Sequence, residues 1–215
     1  VISVVIATYG DQRWRDLAWS RAYPSALGQA DDVTVIYDPD GTVASTRNEG
    51  AATAKGEWLL FLDADDEIAS GYIAAMTAAI LVGEPWESAA GTAAPANLYT
   101  PRVQYVHRGR GGQPFFHPEI APQDGNWLVI GTVVPRWLFR EVGGFEEWPI
   151  YEDWALFARM QKAGADVVRV PDAVYRAWRK AGPTRNHAFD RPGKLAAHAQ
   201  IRRAVYPELC EEAPA

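Results

Sequence analysis

Three short apolar runs limit what this chain can fold into: residues 1–7 (VISVVIA), 33–37 (VTVIY) and 57–62 (EWLLFL). Each is apolar on both faces of an extended chain and needs cover on both sides, the pattern of a central parallel strand between helices. The intervening segments supply that cover. Residues 13–29 carry Trp14, Leu17, Ala18 and Leu27 along one side, and Pro24 predicts a break or kink near Tyr23. Asp38-Pro39-Asp40-Gly41 closes the second strand as a turn. Thr42 or Ser45 can then cap a helix that runs to Lys55 and stops at Gly56, and residues 70–81 form the next helix. Strand and helix therefore alternate, which predicts an α/β domain with a mostly parallel central sheet flanked by helices.

The remainder is less regular. Residues 83–95 read as a loop and 96–107 as a strand that Pro101 places at an edge or a bulge. The stretch 107–118 (HRGRGGQPFFHP) reads as a mobile flap, and 127–134 as a further strand. A short helix over 135–142 is stopped by Gly143-Gly144, and a longer one over 152–163 by Gly164. Short strands over 166–170 and 173–178, a polar loop over 182–191 and a helix over 192–205 follow.

With 215 residues and 48% hydrophobic content, one sizeable core is expected. No apolar stretch reaches the roughly 18–20 residues of a membrane span. The apolar start lacks a basic flank and a cleavage site, so it reads as a strand and not a signal peptide. The single cysteine, Cys210, excludes an intramolecular disulfide and fits a reducing compartment, so a cytoplasmic location is expected. A net charge of −6 argues against broad attraction to nucleic acid.

Asp63-Ala64-Asp65-Asp66 is the strongest chemical signal: three carboxylates within four residues, at the end of a buried strand. Their repulsion and lost hydration need an offset, and a hard divalent cation, Mg²⁺ or Mn²⁺, is the natural one. Open α/β sheets also place ligands beyond the carboxyl ends of their strands. Taken alone, the tetrapeptide reads equally as a solvated acidic turn or a cap for the next helix. Glu152-Asp153 opens a helix, where the macrodipole alone favours carboxylates.

Context adds a resemblance. Residues 45–68 (STRNEGAATAKGEWLLFLDADDEI) closely resemble the RNxG…GE…FLDADD segment of family 2 glycosyltransferases, which have the GT-A fold. The start (VISVVIATYG) resembles their first strand and nucleotide loop, and residues 142–164 (VGGFEEWPIYEDWALFARMQKAG) are similar to their GGF…EDW region. The resemblance implies a single Rossmann-like GT-A domain over 1–215. Residues 1–82 would bind a nucleotide-sugar, and 83–215 would form a smaller, mixed acceptor-side half with the catalytic base and a C-terminal lid. It also implies an inverting transferase that moves a sugar from a nucleoside-diphosphate sugar to an acceptor hydroxyl, assisted by Mn²⁺ or Mg²⁺. A UDP-sugar is favoured as donor, with a GDP-sugar possible.

By the same resemblance, Asp65 ligates the metal and Asp63 meets the ribose or the metal's water shell, while Asp66 is a ligand or a cap. Arg47 lies near the diphosphate, where a guanidinium fork suits phosphate oxygens. Thr8 and Tyr9 contact base and ribose, and Asp38 receives the uracil N–H. Asp153 is the general base, with Glu152 the runner-up. His187 closes over the diphosphate or completes the metal shell, with Arg185 and Arg191 in the same lid. Asn48 and Gly50 serve packing and helix geometry. The chain departs from the family pattern in having eight residues between Asp38 and Arg47, where members carry an additional helix and strand. The pocket must therefore be built more compactly.

His107, Arg108 and Arg110, with Phe115 and Phe116 behind them, guide acceptor or sugar, or form plain surface. Trp148 and Trp154 read as core before sugar platforms. Two rival functions fit less well. A sugar-phosphate nucleotidyltransferase wants a Gly-rich, Arg-bearing loop after the first strand, which ATYGDQR does not supply. A non-catalytic nucleotide- or carbohydrate-binding module would not need both Asp65 and Asp153. The acceptor is unspecified: protein, small molecule, lipid-linked sugar or nucleic-acid base, with lipid disfavoured by the lack of an amphipathic basic helix.

Overall fold

The computed structural model describes residues 1–83, 96–179 and 189–210. The first strand, β1 (Ile2–Tyr9), is buried along nearly its whole length. The helical segment after it is α1 (Gln12–Leu17), a π-helical turn (Ala18–Ala22) and α2 (Tyr23–Ala26). The widened turn is the expected kink: Pro24 has no N–H for an ordinary helical bond, and the wider spacing absorbs the loss. Strand β2 (Asp32–Asp38) precedes α3 (Val43–Thr53). A capping box starts α3: the Ser45 N–H donates to Thr42 Oγ1 at 3.0 Å, and the Thr42 N–H donates to Ser45 Oγ at 2.9 Å. A Cβ on Gly50 would meet Val5 Cγ1 at 2.3 Å, so that glycine lets α3 lie directly on β1. Next come β3 (Trp58–Phe61), the two-residue β4 (Glu67–Ile68) and α4 (Tyr72–Gly83).

The second half contributes β5 (Asn97–His107), β6 (Arg110–Gly111), β7 (Val133–Pro135), α5 (Arg136–Glu141) and α6 (Glu152–Lys162). Strand β8 (Asp166–Arg179) and α7 (Arg191–Val205) complete it. The sheet runs β2-β1-β3-β7-β5-β8-β4, with β6 beside β5. The long ladders, β1–β2 and β5–β8, are parallel, while β7 and β4 are antiparallel insertions, so the sheet is mixed. Because β7 is antiparallel to both β3 and β5, strands β1, β2, β3, β5 and β8 all point the same way. Their carboxyl ends share one edge of the sheet, where ligands bind in open α/β folds.

Three local expectations change. The strand expected over 127–134 is reduced to β7, and the residues before it are turns. Gly131 passes so close to Tyr175 that a Cβ would meet its ring at 2.3 Å, which ties this stretch to a side chain instead of a ladder. The two strands expected over 166–178 are one, and Pro101 marks a register shift in its pairing with β5, inside the sheet and not at its edge. The flap expected over 107–118 is strapped down. Residues 110–111 pair with β5, and Phe115 exchanges both backbone hydrogen bonds with Val103, at 2.8 and 3.0 Å.

Most of the core lies around β1, β3 and α4; a smaller cluster joins Trp154, Ala155 and Ala158 of α6 to Ile201 and Val205 of α7. Trp154 is core, as expected, and its indole N–H donates to the Pro122 carbonyl at 2.8 Å. Among the described residues no helix is long and apolar enough to cross a membrane.

Candidate active site

A cleft of about 630 Å³ opens at the shared carboxyl edge of the sheet. One end is lined by Thr8 and Tyr9 of β1 with Trp14, and its floor by Asp63, Asp65 and Asp66, which follow β3. Arg47, Glu152 and Asp153 line it as well. The far wall comes from Val103 and Tyr105 of β5, His117, Asn126 and Ala177 of β8.

Arg47 organises the floor. Its guanidinium is buried, donates to Asp63 Oδ1 at 2.7 Å and to Glu152 Oε1 at 3.0 Å, and lies over the Phe145 ring. Burial alone would lower its pKa; Asp63, Glu152 and Asp153 outweigh that and hold it above the usual arginine value. The next residue fixes the partner loop. Asn48 donates to the Phe145 carbonyl and accepts the Phe145 N–H, both at 2.9 Å. A Cβ on Gly144, at φ +70°, would meet Asn48 Oδ1 at 2.6 Å. One turn of α3 thus docks the loop before α6 and joins both acidic clusters through a single cation. The expected packing roles of Asn48 and Gly50 are what is seen.

Asp66 has a different task from the one expected. It is buried, accepts from Tyr175 Oη at 2.9 Å and from the Trp178 N–H at 2.8 Å, and so ties the floor to β8 instead of capping a helix. Burial first, then the charges of Asp63 and Asp65, push its carboxyl well above the usual aspartate range. Arg21 supports the same turn: it donates to the Asp65 carbonyl at 2.9 Å and stacks on Trp178 at 4.3 Å.

Asp63, Asp65 and Asp66 can each offer an oxygen within 4.8 Å of the others, a spacing that suits a hard cation. The hydrogen bonds divide them. Both oxygens of Asp66 are engaged by Tyr175 and Trp178, and one oxygen of Asp63 by Arg47. Asp65 and Asp63 both line the cleft with oxygen atoms of the kind a divalent ion prefers. His187 and Arg185 lie outside the described residues.

Asp153 is partly buried at the start of α6. Asn126 Nδ2 donates to its Oδ2 at 3.0 Å, and the Trp154 N–H to its Oδ1 at 2.8 Å. Burial, then Glu152, raise its carboxyl to about 6, against the opposing pull of Arg47 and the Trp154 N–H. The residue before this pair, Tyr151, caps the helix at φ 68°, a left-handed conformation costly for a residue with a Cβ, and it lines the cleft.

Thr8 lines the cleft, but its hydroxyl donates to the Ile36 carbonyl at 2.8 Å. Asp38 faces Tyr9 in the β1–β2 register, and its Oδ1 accepts the Asp40 N–H at 3.0 Å; it is not part of the cleft lining. Sequence reading missed Asn126, Tyr105, His117 and Tyr175. Only His117 carried a signal, a histidine after two phenylalanines, and nothing local tied it to the acidic motifs.

Residues 17–86, a third of the chain, match the family model for glycosyl transferase family 2. No curated protein sequence matches the chain. Among solved structures, S. aureus TarS 1–349 in complex with UDP-GlcNAc is similar at 16% identity and TM-score 0.65, covering 99% of this chain and 68% of that one. A structure of S. aureus TarS matches at 17% identity and TM-score 0.62, with 99% of this chain covered but 40% of that chain. GalNAc-T7 with UDP, GalNAc and Mn²⁺ matches at 15% identity and TM-score 0.61 over 94% of this chain and 47% of its own. This chain thus spans about half or less of those two proteins. It has the GT-A glycosyltransferase fold, and the segment that carries Arg47 and the Asp63–Asp66 floor matches glycosyl transferase family 2.

Proposed function

We propose that this chain transfers a sugar from a nucleoside-diphosphate sugar, a UDP-sugar in the first instance, to an acceptor hydroxyl with inversion. One observation carries the reading. A single buried guanidinium, Arg47, bridges Asp63 to Glu152, so that Arg47, the acids after β3 and Asp153 line one cleft, which supports their reading as diphosphate contact, cation ligands and base. The UDP and UDP-GlcNAc held by structures of the same fold support the donor class.

The base and ribose would lie at the β1 end, along Thr8 and Tyr9, with Asp38 the candidate for the base N–H. A divalent cation on Asp65 and Asp63 would neutralise charge on the diphosphate. Asp153 then accepts the proton of the acceptor hydroxyl as its oxygen bonds to the anomeric carbon. The bond from that carbon to the diphosphate breaks on the opposite side, and its electron pair leaves with the diphosphate. A carboxyl poised at about 6 is ionised at neutral pH yet more basic than a solvated aspartate. Asn126 and the Trp154 N–H hold its orientation. Glu152, bonded to Arg47, positions the guanidinium, so it is the weaker candidate for base.

The test is turnover of UDP- and GDP-sugars with Mn²⁺ or Mg²⁺, comparing the parent with Asp153→Asn. The expected result is a fall in kcat of roughly 10²–10⁴-fold with UDP affinity retained. Near-normal transfer by the variant would remove Asp153 as base. Nucleotide affinity without transfer or slow donor hydrolysis in the parent would instead mark a binding module.

A further inference from the structure

The far wall of the cleft carries a group of side chains that the proposed chemistry does not use. Tyr105 Oη and His117 Nε2 lie 3.3 Å apart, and both line the cleft. Beside this pair, outside the cleft lining itself, Phe115, 41% exposed, sets its ring edge-on to His117 at 5.2 Å, and Arg179 stacks on Tyr105 at 4.3 Å. The wall is built, because the backbone bridge between Phe115 and Val103 fixes the strip that carries His117 against β5.

Its place in the sheet says what it faces. Strand β5 is three positions from β1, about 14 Å at ordinary strand spacing, and the acidic floor after β3 lies between them. With the nucleotide at the β1 end, this wall stands on the other side of the reacting centre. Asn126, the partner of Asp153, lies on the same stretch of chain as His117.

Resting on the transferase reading above, we propose that Tyr105, His117 and Phe115 form the acceptor subsite and that it takes a pyranose sugar. Aromatic rings offer apolar faces to the C–H faces of a sugar ring, and the Tyr105–His117 pair offers a donor and an acceptor to its hydroxyls. Burial lowers the His117 pKa, which keeps the imidazole neutral and able to serve in both senses.

The experiment titrates methyl pyranosides into the protein with UDP and Mg²⁺ and follows the His117 ring resonances by NMR. Donor turnover is then measured with the same sugars as acceptors. A saturable shift of the His117 signals is expected, weakened at least tenfold by Tyr105→Phe and by Phe115→Ala, which leaves the backbone bridge in place. In turnover, His117→Ala should raise the acceptor KM at least tenfold with a smaller change in kcat, and His117→Gln should recover part of it. Absence of any shift, or a response to sugar phosphates alone, would overturn the pyranose subsite. Pyranoside binding without turnover would keep the subsite and defeat the transferase reading instead.

Discussion

The two acidic clusters differ in what their neighbours ask of them. The floor after β3 holds three carboxylates in a turn, and the start of α6 holds two on a helix terminus. In each, one member is committed to architecture: Asp66 to Tyr175 and the Trp178 N–H, Glu152 to Arg47. In each, the proposed function assigns another to chemistry: Asp65 to the cation and Asp153 to the acceptor hydroxyl. Which acid does which is decided by partners more than 100 residues away in sequence for Asp66 and Glu152. Adjacent acids are therefore not interchangeable.

Arg47 joins the clusters, so its removal should have the largest effect on stability. Arg47→Met leaves Asp63 and Glu152 without their shared cation, and urea denaturation should show a loss of about 3–5 kcal/mol. Adding Glu152→Gln should recover part of that loss. If the double variant is no more stable than the single one, the guanidinium does not couple the clusters.

Asp65 and Asp66 sharpen the contrast within one turn. Asp65→Ala should abolish the extra thermal stabilisation that Mg²⁺ or Mn²⁺ adds to UDP, an effect of about 2.7 kcal/mol at a hundredfold excess over Kd. Asp66→Asn should instead lower stability by about 1–3 kcal/mol with no ligand present, because an NH2 donor replaces one of the two oxygens that separately accept from Tyr175 and the Trp178 N–H. The reverse pattern would exchange their roles.

Much of the floor was legible in the sequence because its cues are local. The buried run 57–62, the acids that end it and the capped helix bearing Arg47 follow one another within about one turn of chain each. The fold class followed from the same alternation. The far wall was not legible. Residues 127–132, the part of the expected 127–134 strand outside β7, have strand-like composition, but the close approach of Gly131 to Tyr175, far along the chain, sets their path. Similarly, the Gly-rich stretch before Phe115 suggested a flap because its tie to Val103 is backbone pairing, which no side-chain pattern announces. Asn126 was invisible for the same reason: its meaning comes only from Asp153.

The last comparison tests the state of Asp153 itself. Burial and Glu152 raise its carboxyl from the ordinary 3.8 to about 6 in the folded protein. Between those values the folded state keeps a proton that the unfolded chain has released. This contribution to stability is therefore complete below pH about 4 and lost as pH rises to about 6. Asp153→Asn neither binds nor releases that proton, so its stability curve should lack this fall. Asp66, also raised, contributes in the same direction but remains in the variant, so subtracting the two curves isolates Asp153. The same ionisation should govern catalysis, with kcat/KM of the parent falling by one proton's dependence below pH about 6. A kinetic limb at that pH without the matching step in the difference curve would assign the limb to another group, and with it the role of base.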